Sequence, residues 1–502
     1  MIAGHLAGGK LDGQEGVREA LPAPLPELRG PFALAVWDGT TLLLARDAFG
    51  QRPLWYAQRG NELWFASDPR RLRALGVPPG QIDRDALSDF LELLYVPAPA
   101  SIWSGYRKLP AGHLLRAGEH GVEVRRWFDL PVPGSAEKRP SRISVRARLE
   151  DVAQQADPAA CVVLSGDLGS SALLGLMTRK HGRVRSFGEP DPIARRVAER
   201  FRSAHSEAPV HAAEQVSQAL AGLGEPLGDP ALVELTAVLK AISSPAAAMA
   251  VGADELFAAR PRYLRAARLP HSGRAGRAAG LMATLAPRHH RGRLQRTASA
   301  IGTSGAARAR ALVEVFSFEE RRALIGSHAR TAEGATADVD GNADAAVAFD
   351  LEVGLPDGVL ASLHAAAARA GVELQAPFLD PSLAALVVPP AARHKLGRAH
   401  GGRMLRDAVA DLLPRDVLMA DPQPPPPVGA WLRGPLRPLL HDLLHAPSAR
   451  IRALLDPRAI DETLRHSLMP RGDARQAWAL LALEMWVREN RPQASGLRPQ
   501  AS

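Results

Sequence analysis

Residues 159–180 read AACVVLSGDLGSSALLGLMTRK. A short apolar run, AACVVL, ends in a loop of serine and glycine, and SALLGLMTRK then repeats apolar residues at helical spacing. Strand, small-residue loop and helix in that order form the first unit of a parallel α/β domain. Just upstream, residues 142–155 carry an amphipathic helical pattern. Before them PVPGSAEKRP, at 131–140, mixes proline, glycine and charge as a domain boundary does. Downstream a helical pattern resumes near Leu351 and runs to about Arg491, interrupted by PQPPPP at 422–427.

Ahead of the boundary the pattern changes. FALAVWD (32–38), TLLLARD (41–47), PLWYA (53–57) and ELWFAS (62–67) are short apolar runs separated by turn residues, which predicts an antiparallel meander. DRDALSDFLELLY (83–95) has helical spacing, with Asp83 placed as an N-cap.

The chain has 502 residues, 46% hydrophobic and 23% charged, an ordinary globular mixture that excludes a fibrous or disordered protein. Lys+Arg 62 against Asp+Glu 53 gives +9, and only six of the cations are lysine. Twelve arginines and no acidic residue fall between Ala258 and Ala311, so the rest of the chain carries 9 − 12 = −3. That segment and residues 325–346, both rich in small residues, are expected to be mobile loops. Nucleic-acid binding by the arginines is the weaker reading, because only Tyr263 interleaves them and a solvated basic loop accounts for them. The single cysteine, Cys161, excludes a disulfide framework and a Cys-rich zinc site and fits a reducing, cytoplasmic compartment. The amino terminus has no signal-peptide pattern and no run is long enough to span a bilayer, so a soluble protein with no membrane partner is expected.

The loop Ser165-Gly166-Asp167-Leu168-Gly169-Ser170-Ser171 has two readings. Backbone N–H groups and serine hydroxyls at a helix N-terminus form a cradle for phosphate or pyrophosphate. An ordinary serine-capped βα turn looks the same in sequence. Asp167 opposes the cradle by placing a carboxylate beside it.

Collinear motifs then extend the comparison along nearly the whole chain. LRGPFALAVWDG (28–39), LLARDAFGQRPLWY (43–56), FASDPRRLRAL (65–75), YVPAPASIWSGYRKLPAGHLL (95–115) and RRWFDL (125–130) come first. VLSGDLGSSAL (163–173), GEPLGDP (224–230), GADELFAARPRY (252–263), LPDGVL (355–360), VELQAPFLDPSL (372–383) and VGAWLRGPLR (428–437) follow. This order resembles glutamine-dependent asparagine synthetase and its relatives, the β-lactam synthetases and lasso-peptide cyclases. The resemblance implies a truncated N-terminal nucleophile hydrolase-like antiparallel sandwich over residues 1–132. It implies a doubly wound parallel-sheet ATP-pyrophosphatase domain with a helical C-terminal region over 141–490, and 491–502 is expected to be a disordered tail. The implied chemistry is glutamine hydrolysis to ammonia, coupled to activation of aspartate as an acyl adenylate with ATP and Mg²⁺.

Carried over residue by residue, the resemblance is uneven. The family's glutaminase nucleophile is a cysteine after the initiator methionine, whereas Ile2 stands there, and no glutaminase activity is expected. Cys161 lies in an apolar strand and reads as structural. The family's Ser-Gly-Gly-Leu-Asp-Ser-Ser loop retains Ser165, Gly166, Ser170 and Ser171 as nucleotide contacts, but Asp167 replaces its second glycine and Gly169 its aspartate. In Ser-Gly-Asp-Gly-Gly-Asp-Glu-Leu-Phe, Gly252 remains, Asp254 and Glu255 remain as metal ligands, and the first acidic position is Val251. The family's two phosphate lysines align with Gly402 and Asp421, and Arg403, beside the first, is the remaining nucleotide-binding cation. Glu225 and Asp229 are the substrate candidates, although proline-flanked turns also use such residues, as helix starts use Asp254 and Glu255. His364 and Ala365 occupy the family's Asp-Arg positions. Two functions follow: an ATP-dependent amide-forming enzyme supplied with ammonia or an amine by another protein, or a non-catalytic relative serving as a binding or partner subunit, with a nucleotide or a peptide as its ligand.

Overall fold

The structure is a computed structural model that describes Leu25, Leu28, and residues 30–269, 272–285, 288–330, 339, 341–420, 424–470 and 472–490. Its parallel sheet is built from β8 (Cys161–Val163), β9 (Ser186–Gly188), β10 (His205–Glu207), β11 (Ala246–Ala248) and β12 (Glu373–Gln375). The order is β10-β9-β8-β11-β12 with every pair parallel. Winding reverses between β8 and β11, so the loops leaving these two strands face one crevice, where doubly wound sheets bind ligands. The strand-loop-helix unit is as expected: β8 leads through residues 164–167 into the helix Leu168–His181.

The N-terminal part holds two antiparallel sheets. One has the order β1-β2-β6-β7, from Ala33–Trp37, Leu42–Arg46, His113–Gly118 and Gly121–Arg126. The other has the order β4-β3-β5, from Glu62–Ala66, Trp55–Arg59 and Arg107–Lys108. The expected single meander is therefore two hairpins in different sheets. β2 pairs onward with β6 and β3 with β5, partners more than fifty residues away whose pairing no local pattern specifies. Ala35, Leu44 and Leu115 of one sheet and Tyr56 of the other bury their side chains together, the interior of a sandwich.

Between the two parts runs the helix Arg84–Leu93, capped as expected by the Asp83 carboxylate, which accepts from the N–H groups of Asp85 and Ala86 at 2.9 and 3.0 Å. Its Leu87 and Phe90 share one buried cluster with Trp478 and Trp486 of the C-terminal helix Ala474–Glu489. The two parts thus share a common core.

The arginine-rich segment departs from expectation. Residues 258–311 form the helices Pro261–Arg268, Gly273–Leu285, Arg288–Gly302 and Gly305–Ala311. Alanine and arginine are strong helix formers, and the charge pattern concealed that propensity. Several arginines are internal counter-ions. Arg262 pairs with buried Asp350, Arg296 with Glu320 and Asp473, and Arg310 with buried Glu92, while buried Arg308 donates to the carbonyls of Thr303 and Leu269. In the second segment expected to be mobile, Asn342–Phe349 is a helix, and residues 331–338 lie outside the described residues. The long C-terminal helical pattern is likewise interrupted by β12, whose Glu-Leu-Gln carries no strong strand signal.

Glu92 also pairs with Arg321 at 3.2 Å, and Arg321 with Glu314 at 2.7 Å, a buried network between the helices Arg84–Leu93 and Phe318–Ile325. Burial pushes the Glu314 carboxyl up to about 7, with Arg321 opposing and Glu92 adding to the rise. The folded state therefore holds this proton more tightly than the unfolded chain. Its contribution is fully present below the ordinary carboxylate range and is lost as pH rises through about 7. Denaturant unfolding between pH 5 and 8 should show a decline to which Glu314 contributes about 1–3 kcal/mol and which Glu314→Gln makes shallower. An equally steep decline in the variant would assign it elsewhere.

Candidate functional site

At the crevice, Gly166 adopts φ +83, and a Cβ there would lie 2.4 Å from the Asp191 carboxylate. The turn places Asp167 as N-cap of the following helix. Its Oδ1 accepts from the Ser170 N–H at 2.6 Å, and its Oδ2 accepts from the Ser165 hydroxyl at 2.7 Å. The Ser165 and Ser170 hydroxyls lie 3.0 Å apart, and the Ser165 N–H donates to Ser170 Oγ at 3.3 Å. Donors that would face a phosphate thus converge on the chain's own carboxylate. The Ser171 hydroxyl is fully buried and has no hydrogen-bond partner among the described residues.

The second motif meets this loop. A Cβ at Gly169 would lie 3.1 Å from the methyl of Ala253 and 3.2 Å from that of Ala250. Against the motif Ser-Gly-Asp-Gly-Gly-Asp-Glu-Leu-Phe, both alanines stand at glycine positions. The side chain missing from 169 and the two added methyls fill one space between them. Gly252, at φ +86, starts the short helix Ala253–Leu256, and a Cβ there would run into Leu379 at 2.2 Å.

Glu255 is buried and paired with Arg260, whose Nε donates to its Oε1 at 2.8 Å. Asp254 is open to solvent on one side. Packing around its carboxyl raises it to about 6; Arg260 opposes the rise, while Glu255 and Asp167 add to it. The acids expected to hold Mg²⁺ therefore face an internal guanidinium, which sequence reasoning missed although Arg260 follows Glu255 by five residues. Among the described residues, no group of three or more His, Cys, Asp or Glu is arranged to hold a metal ion. Of the two carboxylates expected to hold Mg²⁺, Glu255 is already held by Arg260, which leaves Asp254 as the open one, short of a ligand set without a nucleotide's phosphates.

The remaining candidates scatter. Glu225 is buried against the N-terminal part, accepting from Lys108 Nζ at 2.9 Å and from the Ile102 N–H at 2.7 Å. Burial raises its carboxyl and Lys108 opposes that. Asp229 accepts from the Ala231 N–H at 3.0 Å at the start of the helix Ala231–Ala241; burial raises its carboxyl, against that hydrogen bond and Arg260. Arg403 is half-exposed and lies 4.0 Å from Asp407 on its own helix. Gly402 has φ +74 and packs on Ala259 and Leu168, a position unsuited to any long side chain. Asp421 and Ile2 lie outside the described residues. Cys161 is buried in β8, its thiol directed to the Ala246 carbonyl at 3.6 Å and pushed up to about 11 by burial, so it offers no nucleophile. His364 borders a cavity of about 270 Å³ between the two parts and, on its other side, a small recess beside Val251. Burial lowers its imidazole to about 4, with Arg52 and Arg46 adding, so it is neutral near pH 7.

Comparison with known families gives this geometry its context. Residues 144–488 match the model described as asparagine synthase, and residues 17–128 match that of a glutamine amidotransferase domain. The chain belongs to the asparagine synthase family. A putative glutamine-hydrolysing asparagine synthetase of Mycobacterium tuberculosis (strain H37Rv) is 28% identical over 92% of this chain and 77% of its own length. Asparagine synthetase 3 of Bacillus subtilis is 28% identical over 30% of this chain and 25% of its own. An amidase, chry2, of Gibberella zeae is 28% identical over 31% of this chain and 24% of its own. A solved glutamine phosphoribosylpyrophosphate amidotransferase of B. subtilis superposes only loosely, with a TM-score of 0.15 at 15% identity over 40% of this chain and 36% of that one. The asparagine synthase fold is thus in place, with its crevice where β8 and β11 diverge. No described helix is long and apolar enough to cross a membrane.

Proposed function

We propose that this chain keeps the asparagine synthase fold as a binding or partner subunit and does not itself make an acyl adenylate. The observation that carries the reading is the Asp167 carboxylate, which takes the Ser165 and Ser170 donors at the head of the helix Leu168–His181. A second anion brought there meets like charge instead of an open cradle. The Arg260–Glu255 pair supports the same reading from the cation side, since it neutralises a carboxylate that Mg²⁺ would need. Adenylation depends on preorganised charge, and the loss of one such group costs on the order of 10²–10³ in rate.

ATP–pyrophosphate exchange tests this directly. With Mg²⁺ and aspartate, or a panel of other carboxylates, exchange should not exceed the no-enzyme control. Exchange above that control would restore the alternative, an ATP-dependent amide-forming enzyme fed with ammonia or an amine by a partner.

A further inference from the structure

The helices Gly273–Leu285 and Arg288–Gly302 form an antiparallel hairpin. At its base the backbones touch, since a Cβ on Gly276 would lie 2.3 Å from the Gly302 Cα, and the Ser272 N–H donates to the Ile301 carbonyl at 3.3 Å. The second helix is seated on the protein. Arg296 is buried and donates to the Val315 carbonyl at 2.7 Å, besides its two ion pairs, and a Cβ at Gly292 would overlap the Glu320 carboxylate. The first helix is the outer one, with Gly276 and Ala283 turned inward.

Its outward side carries Arg274 and Arg277, both exposed, and then Leu281, Met282 and Leu285, which are 68%, 68% and 78% exposed. The spacing 274, 277/278, 281/282, 285 is that of one helix face. Three large apolar side chains this open, side by side, are uncommon on a protein that acts alone. No acidic residue occurs from Leu256 to Val313. Arg265 and Arg268 add positive charge on the preceding helix.

We infer that this face docks an acidic amphipathic helix of a protein partner, its apolar residues meeting Leu281, Met282 and Leu285 and its carboxylates meeting Arg274 and Arg277. An apolar helix stripe flanked by charge is the form in which helical segments are recognised. The alternatives fit the composition less well. A membrane-surface helix anchors through aromatic as well as aliphatic residues, and residues 264–315 contain no Phe, Trp or Tyr. Nucleic acid would use the arginines and leave the leucines and methionine without a role. The inference rests on the partner-subunit reading for its biological role, while the binding itself is independent of that reading. The exchange assay decides the one, and the following titration the other.

The probe is a fluorescein-labelled synthetic helix with leucine at i, i+4 and i+7 and glutamate on its other faces, titrated with the full chain. A second peptide has lysine in place of each glutamate. The acidic peptide should bind at least tenfold tighter than the lysine peptide, and its binding should weaken as salt is raised. Leu281→Ser with Met282→Ser and Leu285→Ser, and separately Arg274→Glu with Arg277→Glu, should each weaken it at least tenfold. All five positions are exposed, and matching thermal melts verify that the variants fold. Equal binding of both peptides, or no loss in either variant, would overturn the inference. So would binding to phosphatidylserine vesicles without peptide binding, which assigns the face to a membrane. A concentration-dependent dimer abolished by the triple serine variant would overturn it in favour of a second copy of this chain.

Discussion

Asp167→Asn should tighten the binding of inorganic pyrophosphate by about 10²-fold, from no detectable heat at millimolar concentration to a measurable isotherm. Asparagine caps helices as well as aspartate does, so the Ser170 N–H keeps an acceptor and the helix Leu168–His181 keeps its start. Only the charge is lost. A phosphate anion about 4 Å from a carboxylate is opposed by about 4 kcal/mol at an effective dielectric constant near 20, and less where solvent enters. Roughly two thirds of that is the hundredfold expected. Removal of the charge also takes from the Ser165 hydroxyl its anionic acceptor, Asp167 Oδ2. Calorimetry without added metal reads the anion site alone. Unchanged binding in the variant would show that Asp167 is not the competitor.

Recovery of an anion site is not recovery of a catalyst, and the reason is steric. A carboxylate restored at 169 would push its Cβ to 3.1–3.2 Å from the methyls of Ala253 and Ala250, tighter than ordinary contacts allow. Gly169→Asp therefore crowds both alanines, which must give by a few tenths of an ångström, and it leaves Val251 without an acid. Gly169, Ala250 and Ala253 are complementary in shape, the residue without a side chain facing the two methyls.

The β8 unit was legible in the sequence because a buried strand and a capped helix are local patterns, and Asp83 announced its own cap. The conflict at Asp167 was legible too, since a carboxylate at a helix N-terminus is both a cap and an anion. Pairing across the chain was not. The split of β1–β4 between two sheets depends on β5 and β6, and β12 joins β11 from well over a hundred residues away. The arginine segment misled for a related reason. Charge counted along a sequence says nothing of partners such as Glu92, Asp350 and Asp473, which only folding brings to Arg310, Arg262 and Arg296. Glu225 shows the limit most directly, because its motif marks a substrate residue while its partner, Lys108, lies 117 residues earlier.

Lys108→Met should accordingly lower global stability by about 3–5 kcal/mol, read as a fall in the denaturant midpoint. Both members of the pair are nearly inaccessible, and removal of the ammonium leaves the Glu225 carboxylate buried with only the Ile102 N–H and its remaining polar neighbours. Lys108 Nζ also donates to the Val96 carbonyl and lies 5.4 Å from the Trp55 ring centre, so the same substitution strips two further contacts within the N-terminal part. The second variant separates a structural from a ligand-binding role. Adding Glu225→Leu to Lys108→Met removes the orphaned charge and should recover most of the loss, because an apolar pair in a buried ion-pair site is often neutral or better. A midpoint nearly unchanged in Lys108→Met would show that the pair does not hold the two parts together. The double variant would then be no more stable than the single one. Recovery in the double variant would fix Glu225 as the partner by which Lys108 ties the two parts of the fold together.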